Sequence, residues 1–358
     1  MPAAKPASPL TLTQVASFMR KFIAIAGVTL AVMIVGRVFL ESAVGYWKAT
    51  HPAPPPPPTA VFGLLPRLKF PTSVGTATSL KLEIPPSRLR PVSDRATVYF
   101  IRSKRPSLLA LDKAKEQAAT LGFLFEPDRI DTQTYRWRRT QPLTSVLDYD
   151  IITGMFTMSL DWQSDPNFLQ NSKLPIEDEA ILNVRSSLST AGLLEKDIAT
   201  GSAQVSYLKS SGGTYEPTVS FSEADFLQID LYRTPVNGQY QVVTEEPGHG
   251  TIRAIITGSS DKSNFFAKLE YYYLPIEYGI SATYPIITPT RAFQLLSEGS
   301  GYTAAMPTTG KDVIVRNINL AYYDSKAEQQ YLQPVYVLTG DGGYVGYVSA
   351  IDPRYVVQ

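Results

Sequence analysis

The chain has 358 residues, of which 44% are hydrophobic and 18% charged, with 33 basic and 32 acidic side chains. This length predicts two or three domains with real hydrophobic cores. The near-zero net charge argues against a general nucleic-acid binder, which needs a dominant basic field. Cysteine is absent and the only histidines are His51 and His249. Disulfides, cysteine-based metal sites and thiol nucleophiles are therefore excluded, and most histidine-based metal and triad chemistry is removed as well.

The N-terminal region contains a stretch of membrane-spanning length. Residues 22–40 are apolar except for Arg37, and about 19 helical residues cover roughly 28 Å, close to the hydrocarbon thickness of a bilayer. We predict a single transmembrane helix over these residues, which makes the lipid bilayer the first partner. Arg37 lies near the outer end, where its side chain can reach the headgroups. Pairing of Arg37 with an acidic group on a neighbouring helix is the alternative.

Positive charge in front of this stretch predicts its orientation. Arg20 and Lys21 precede the span directly, and no acidic residue lies before it. The positive-inside rule therefore predicts that residues 1–21 form a cytoplasmic tail and that everything after Leu40 is extracytoplasmic. A cleaved signal peptide that ends at Ala43-Val44-Gly45 is the alternative, and the length of the apolar stretch favours a retained anchor.

The next region is rich in proline, with an almost continuous run over Pro52–Pro58. Such a run adopts the polyproline II conformation, which is extended and has no internal hydrogen bonds. We therefore predict that residues 41–71 form a Pro-rich stalk that acts as a spacer. His51 precedes the run without a second histidine or an acidic residue nearby, so no ligand role is assigned to it.

Beyond the stalk, one pattern occurs three times: an amphipathic helix followed by antiparallel strands. The helices are predicted from Ser107 to Gly122, from Pro175 to Ala191, and from Thr288 to Gly299, each with capping residues or acidic first-turn residues at its start. The predicted strands are 134–139, 145–162 (a hairpin that turns at Thr153-Gly154), 203–209, 226–233, 239–244, 251–257, 265–274, 313–323, 334–339 and 344–351.

This repetition predicts an α+β fold with three extracytoplasmic units. The first unit covers residues 72–165, the second 166–285 and the third 286–358, and in each a helix packs on an antiparallel sheet. Charge differs between them, since residues 88–139 carry twelve basic and six acidic side chains. The basic segment could meet an acidic partner or dock on the acidic remainder of the chain, and both alternatives stay open.

The third unit carries the sequences ITPTRAFQLLSEG, VRNINLAYYD and YLQPVYVLTGDGGYVGYVSAID. Over residues 289–352 this order of helix and strand motifs resembles a PepSY-like unit. It is similar to the extracytoplasmic modules of YycH–YycI-type regulators of a cell-wall sensor kinase, which are also single-span proteins with an N-terminal anchor. The resemblance implies helix-on-sheet modules used for protein contact or inhibition, with no catalytic residue to transfer.

Two groups of residues are candidates for contact with a partner. The first interleaves an aromatic ring with cations, as in Arg136, Trp137, Arg138 and Arg139. The second consists of tyrosine runs, from which Tyr272, Tyr322 and Tyr323 are chosen. Because successive strand residues point to opposite faces, each run is expected to expose at least one ring, and exposed tyrosine favours protein interfaces.

Two clusters could carry chemistry instead. Asp148 and Asp150 share one strand face with Asp161 across the hairpin, which is compatible with glycosidase-like acid–base work or calcium, although the wet face of a sheet explains them better. Glu245, Glu246 and His249 could hold a cation, but a solvated turn is the favoured interpretation. The sequence therefore predicts no catalytic residue, cofactor or metal site.

The leading hypothesis is a non-enzymatic, membrane-anchored extracytoplasmic protein that binds or regulates an envelope or membrane protein through protein–protein contacts. A structural envelope component that homo-oligomerises is the second hypothesis. The third is an envelope polysaccharide-binding protein or hydrolase that uses Asp148, Asp150 and Asp161. Nucleic acid is not expected as a partner.

Overall fold

The computed structural model describes residues 12–50, 57–85, 93–102, 107–170, 173–259, 261–308, 310 and 312–357. The chain divides into an N-terminal unit that ends at Pro57 and a body that begins at Pro58.

The N-terminal unit contains one long helix, α1 (Leu12–Thr50). Its segment Ala16–Trp47 contains an 18-residue window with a mean hydropathy of 2.3 and is long and apolar enough to cross a membrane. The helix extends beyond both ends of the predicted span at 22–40, since good helix formers continue on both sides. Arg37 pairs with Glu41 one turn later on the same helix, at 2.9 Å between Nε and Oε1.

The body is a mixture of helices and strands. The described helices are α2 (Ala110–Thr120), α3 (Glu177–Thr190), α4 (Lys196–Ala199) and α5 (Pro289–Ser297). The described strands are β1 (Ser79–Leu82), β2 (Arg95–Ile101), β3 (Asp128–Arg129), β4 (Thr134–Arg139), β5 (Ser145–Asp150), β6 (Phe156–Leu160), β7 (Ala203–Ser211), β8 (Thr214–Thr218), β9 (Phe226–Leu231), β10 (Val242–Val243), β11 (Ile252–Ile256), β12 (Phe266–Tyr271), β13 (Ile276–Pro285), β14 (Tyr302–Ala305), β15 (Asp312–Tyr323), β16 (Tyr331–Gly340) and β17 (Val345–Ser349).

The first sheet has nine antiparallel strands in the order β3-β4-β5-β6-β12-β11-β9-β7-β8. Helices α2 and α3 cover one face, where Ala118 and Val184 are completely buried in a core that includes Trp137 and Ile229. The opposite face has its own apolar cluster around Phe226. Both faces of β9 are therefore covered, and five of its six residues are buried, including the charged Asp230 on the same face as Phe226.

The second sheet has eight strands. Its main order is β1-β15-β16-β17-β14, while β2 pairs with both β16 and β13, and β10 adds to β15 in parallel. Helix α5 packs on this sheet through Ala292 and Leu296, which lie in one core with Tyr336 and Val348. The C-terminal region predicted as a helix on a sheet is thus built that way, but with strands from elsewhere in the chain.

The two sheets cut across the predicted unit boundaries. Strands from 72–165 and 166–285 share the nine-stranded sheet, while β1, β2 and β13 join the sheet of residues 286–358. The alternation of apolar residues determines which face of a strand is buried, but it does not determine which strand lies beside it. Residues 58–358 form one compact unit instead of three separate ones.

Both ends of the stalk predicted at residues 41–71 belong to other parts of the structure. Helix α1 includes residues 41–50, and Leu65 is fully buried in the body, where it forms a bridge with Val356. His51 and most of the proline run lie outside the described residues.

Helix α5 begins as the sequence predicts. Thr288 is the N-cap, its Oγ1 accepts a hydrogen bond from the Arg291 backbone N–H at 3.2 Å, and Pro289 occupies the first helical position. This arrangement satisfies one of the backbone donors that a helix start leaves without a partner.

We expect Thr288→Ala to lower the free energy of unfolding by about 1 kcal/mol, because it removes this cap. Denaturant unfolding of the purified full chain, followed by tryptophan fluorescence, measures the change. Thr190→Ala is the matched control, since Thr190 is an exposed helical threonine whose hydroxyl bonds only the Ser186 carbonyl of its own helix. Equal effects of the two substitutions would contradict the role assigned to the cap.

Candidate binding cleft

A cavity of about 1430 Å³ opens on the body where elements of both sheets meet. One wall is helix α2, and the opposite wall is the connection from α3 to α4. The floor combines the turn at 234–237, which follows β9, with residues 273–278, which lead from β12 into β13. Ligand cavities commonly have about 300–1000 Å³, so this cleft is larger than a small molecule requires.

Charges of both signs line the cleft. The basic residues are Arg102, Lys113 and Lys196, and the acidic residues are Glu116, Glu195, Asp197 and Glu277. Arg102 and Glu277 pair with each other across neighbouring strands. In the described part of the chain, Lys113 and Lys196 form no ion pair and remain exposed. The walls therefore present both cations and anions without a dominant field of either sign.

Tyrosines supply the aromatic part of the lining. Tyr149 and Tyr273 lie at the base, and Tyr278 stands at the edge with 43% of its surface exposed. Burial, together with the Asp197 carboxylate, raises the pKa of Tyr278 to about 12. Burial likewise raises the pKa of Tyr149 to about 12. Both hydroxyls therefore stay protonated at neutral pH and can donate or accept hydrogen bonds.

A completely buried arginine supports the floor of the cleft. The Arg233 guanidinium donates to Asp324 through Nε and to Asp197 through Nη1, each at 2.7 Å, and to the Leu274 carbonyl through Nη2 at 2.7 Å. The guanidinium also lies 4.2 Å from the centre of the Tyr273 ring, within the range of a cation–π contact.

These contacts join elements that are far apart in sequence. Arg233 follows β9 of the nine-stranded sheet, Asp324 follows β15 of the eight-stranded sheet, and Asp197 belongs to α4. Burial alone would lower the pKa of Arg233, but the charges of Asp324 and Asp197 raise it above its ordinary value. The arginine is therefore a permanent cation that ties both sheets together beneath the cleft.

Sequence reasoning did not identify this cluster. Arg233 is predicted only as the last residue of a strand, and its partners lie 36 and 91 residues away along the chain. A single charged residue at a strand end is ordinary, and nothing in a local pattern links it to two distant acids. The one available signal is an arginine at the end of the predicted strand 226–233.

The structure buries three of the residues predicted as partner contacts. Trp137, Tyr322 and Tyr323 are at most 1% exposed. The expectation that each tyrosine run exposes a ring is wrong for Tyr322 and Tyr323, because both faces of their strand are covered by other parts of the body. Tyr272 is half-buried, and the Lys326 ammonium lies 5.1 Å from its ring centre.

The predicted basic cluster is mostly engaged within the body. Arg136 makes a two-pronged pair with Asp148, at 2.6 and 2.8 Å. Arg139 is half-buried and donates to Ser145 and to the Ser263 carbonyl. Arg138 is exposed, with Asp128 at 3.7 Å. These four neighbours in sequence therefore do not form one exposed surface.

The three aspartates of the hydrolase hypothesis do not converge. Asp148 is held by Arg136, while Asp150 accepts hydrogen bonds from the backbone of Ile152 and Thr153 in the hairpin turn. Asp161 lies beyond the far end of β6, about 13 Å along the strand from the residue opposite Asp148. Within the described residues, no three His, Asp or Glu side chains lie close enough to hold a metal ion.

His249 is buried rather than solvated, which corrects the interpretation of its turn. Its Nε2 lies 2.7 Å from Glu270 Oε2, and its Nδ1 lies 2.7 Å from the Gly250 carbonyl oxygen. Both ring nitrogens therefore face oxygen atoms within the body. Glu245 and Glu246 turn away from His249 and bind Ser325 and Lys326.

Comparison with known proteins adds little to this geometry. No protein family and no curated protein matches the chain. Among solved structures, the body is similar to an uncharacterized protein from Eubacterium rectale ATCC 33656. The two are 12% identical, the match covers 76% of this chain and 89% of that chain, and the TM-score is 0.34. At this level the likeness carries no argument about function.

We expect Asp324→Ala to lower the free energy of unfolding by about 1–3 kcal/mol, because it leaves the buried Nε of Arg233 and the Thr251 hydroxyl without their acceptor, while Asp197 still pairs with the cation. Denaturant unfolding measures the change. The control is Asp341→Ala, which removes an exposed partner of Arg316 and should leave the unfolding midpoint nearly unchanged. A small effect at Asp324, similar to that at Asp341, would contradict the role of the buried pair.

The pKa of Glu270 predicts that the folded chain loses stability in acid. Burial would raise its pKa, but hydrogen bonds from His249 and Lys268 outweigh burial and lower the pKa to about 2. A carboxylate whose pKa is lower in the folded chain than in the unfolded chain stabilises the fold at pH values above the unfolded pKa, which is near 4.5. This stabilisation is lost as the pH falls towards 2. Relative to Glu270→Gln, the native chain should be about 2 kcal/mol more stable at pH 7. That difference should shrink below pH 4.5 in denaturant titrations, and a difference independent of pH would refute it.

Proposed function

We propose that this protein is a membrane-anchored extracytoplasmic binding protein whose cleft holds a segment of another envelope polypeptide. The observation that carries the proposal is the cleft itself, with its large volume and a lining that mixes cations, anions and tyrosines. A polypeptide offers all the matching groups, namely charges of both signs, backbone amides and apolar side chains. A polyanion such as nucleic acid would meet four acidic side chains in the same cleft.

The N-terminal helix supports the membrane part of the proposal. A helix that is long and apolar enough to cross a bilayer would hold the body at the membrane surface. Arg20 and Lys21 before it favour a cytoplasmic N-terminus, with the body outside. The resemblance of residues 289–352 to PepSY-like modules of YycH–YycI-type regulators agrees with a function in protein contact. In this account the anchor determines where binding occurs and the cleft determines what is bound.

Self-association of the same cleft is the alternative that the test must separate, since a second copy also presents polypeptide. A glycan is a further possible occupant, because tyrosine rings stack on sugars as well. The described residues favour neither a second copy nor a glycan over a partner polypeptide. The hydrolase hypothesis is weakened because the Asp148 carboxylate pairs with Arg136 and the Asp150 carboxylate accepts hydrogen bonds from its own turn.

We expect a photo-crosslinking residue at position 113, in place of Lys113, to capture a polypeptide in intact cells that make the full chain. Position 113 lines the cleft, whereas Leu182 is an exposed apolar residue on α3 outside the lining and serves as the matched control. A discrete, protease-sensitive product from position 113 but not from position 182, containing a second protein, supports the proposal. Crosslinks only between copies of this chain, protease-resistant adducts, or no product specific to position 113 would overturn it.

A further inference from the structure

The edge of β13 beside the cleft has an interrupted ladder. Glu277 is opposite Phe100 of β2, and the next paired residue, Ser281, is opposite the adjacent Tyr99. Residues 278–280 therefore bulge out of the ladder without an opposite residue. Such bulges re-aim the strand and leave backbone groups without ladder partners. This bulge places Tyr278 in the lining of the cleft.

The outer side of β13 accepts two backbone N–H groups of a neighbouring turn farther along. The backbone N–H of Ala60 donates to the Thr283 carbonyl at 3.1 Å, and the N–H of Thr59 donates to the Thr283 hydroxyl at 3.0 Å. In the described residues, by contrast, no strand pairs with the outer side at 276–281. The unpaired stretch is thus continuous with a stretch of the same edge whose Thr283 carbonyl is already hydrogen-bonded by another part of the chain.

Other sheet edges in the described body are protected against added strands. β8 carries Pro217, β3 has only two residues, and β14 receives Val74, whose N–H donates to the Thr303 carbonyl. Proline, short length, covering segments and bulges are the usual means of blocking an edge, and of these the stretch 276–281 has only the bulge. The sequence of residues 276–281, IEYGIS, contains neither proline nor lysine.

Exposed apolar side chains occur in the bulge and just before helix α2. Ile280 is 51% exposed within the bulge, and Leu108 and Leu109 are 103% and 58% exposed. Leu108 and Leu109 stand between Ser107 and Ala110, two residues that line the cleft. A strand that added to β13 could cover these side chains with its own alternate residues.

We propose that the partner segment binds as an added β-strand along the outer edge of β13 at residues 276–281. This inference rests on the proposed function and specifies how the cleft recognises its polypeptide. Backbone hydrogen bonds supply the affinity, and the mixed charges of the cleft walls select among sequences. The occupant is an extended segment of mixed charge with apolar residues at alternate positions.

The test uses the full chain in lipid nanodiscs and a phage-displayed library of random dodecapeptides. The tightest peptide is then synthesised with a single backbone N-methyl group at each position in turn. Strand addition predicts an alternating pattern, because only every second N–H points at the edge. N-methylation should weaken binding about tenfold at alternate positions and little between them, as expected for one hydrogen bond each.

Two variants of the protein locate the same contact. Gly279→Pro removes a backbone donor from the bulge, at a site where an added Cβ meets no atom within 4 Å, and Leu108→Ser removes an apolar side chain beside the cleft. Both should weaken the peptide at least fivefold, while Leu182→Ser should not. Circular dichroism and thermal unfolding show whether each variant folds. If the Gly279→Pro variant does not fold, the N-methyl series on the native chain still decides the test.

The outcomes separate this inference from the proposed function. If the selected peptides lose affinity for a variant of the cleft but their N-methyl series shows no alternation, strand addition is overturned and polypeptide binding stands. A library that yields no cleft-dependent peptide overturns both.

Discussion

The buried Arg233 cation is the interaction on which the body depends most. It receives two carboxylates and a carbonyl from three different elements, and it lies between the two sheets directly under the cleft. A buried charge is costly unless it is fully paired, so the sheets cannot separate or slide without exposing an unpaired ion. The same cation packs on Tyr273, which lines the cleft. The position of the cleft floor is therefore fixed by the joint between the sheets.

This joint explains why a cleft exists at all. The nine-stranded and eight-stranded sheets each have their own apolar cores. They meet through the Arg233 pairs and through a further apolar cluster, in which Met155 and Val236 lie with Ile101 and Tyr322. Where the two sheets diverge, helix α2 and the loop before α4 form walls without filling the space between them. The bulge of β13 then faces this space because its ladder with β2 is interrupted there. Packing thus produces a concave, mixed surface beside a strand edge that is unpaired at residues 276–281 in the described part of the chain.

Local patterns predicted the local structure well. The helix that starts at Thr288 and Pro289 and the hairpin around Thr153-Gly154 follow from capping and alternation. Strand β4 occupies the predicted range 134–139. The arrangement of the strands in the two sheets did not follow from these local patterns. The alternation in β13 is broken by its bulge, and no local rule pairs β2 with both β13 and β16. Tyr322, expected as an exposed ring, is buried because its strand is covered on both faces. The cleft residues were missed for the same reason, since Asp197, Arg233 and Tyr278 approach each other only in the assembled body.

Amide hydrogen–deuterium exchange of the full chain in nanodiscs, with and without a saturating selected peptide, tests the central claim most directly. The account predicts slower exchange at residues 276–281 and along the α2 wall when the peptide is bound, with α5 and the outer face of the nine-stranded sheet unchanged. Protection confined to any other surface, with residues 276–281 exchanging at the same rate in both samples, would contradict it.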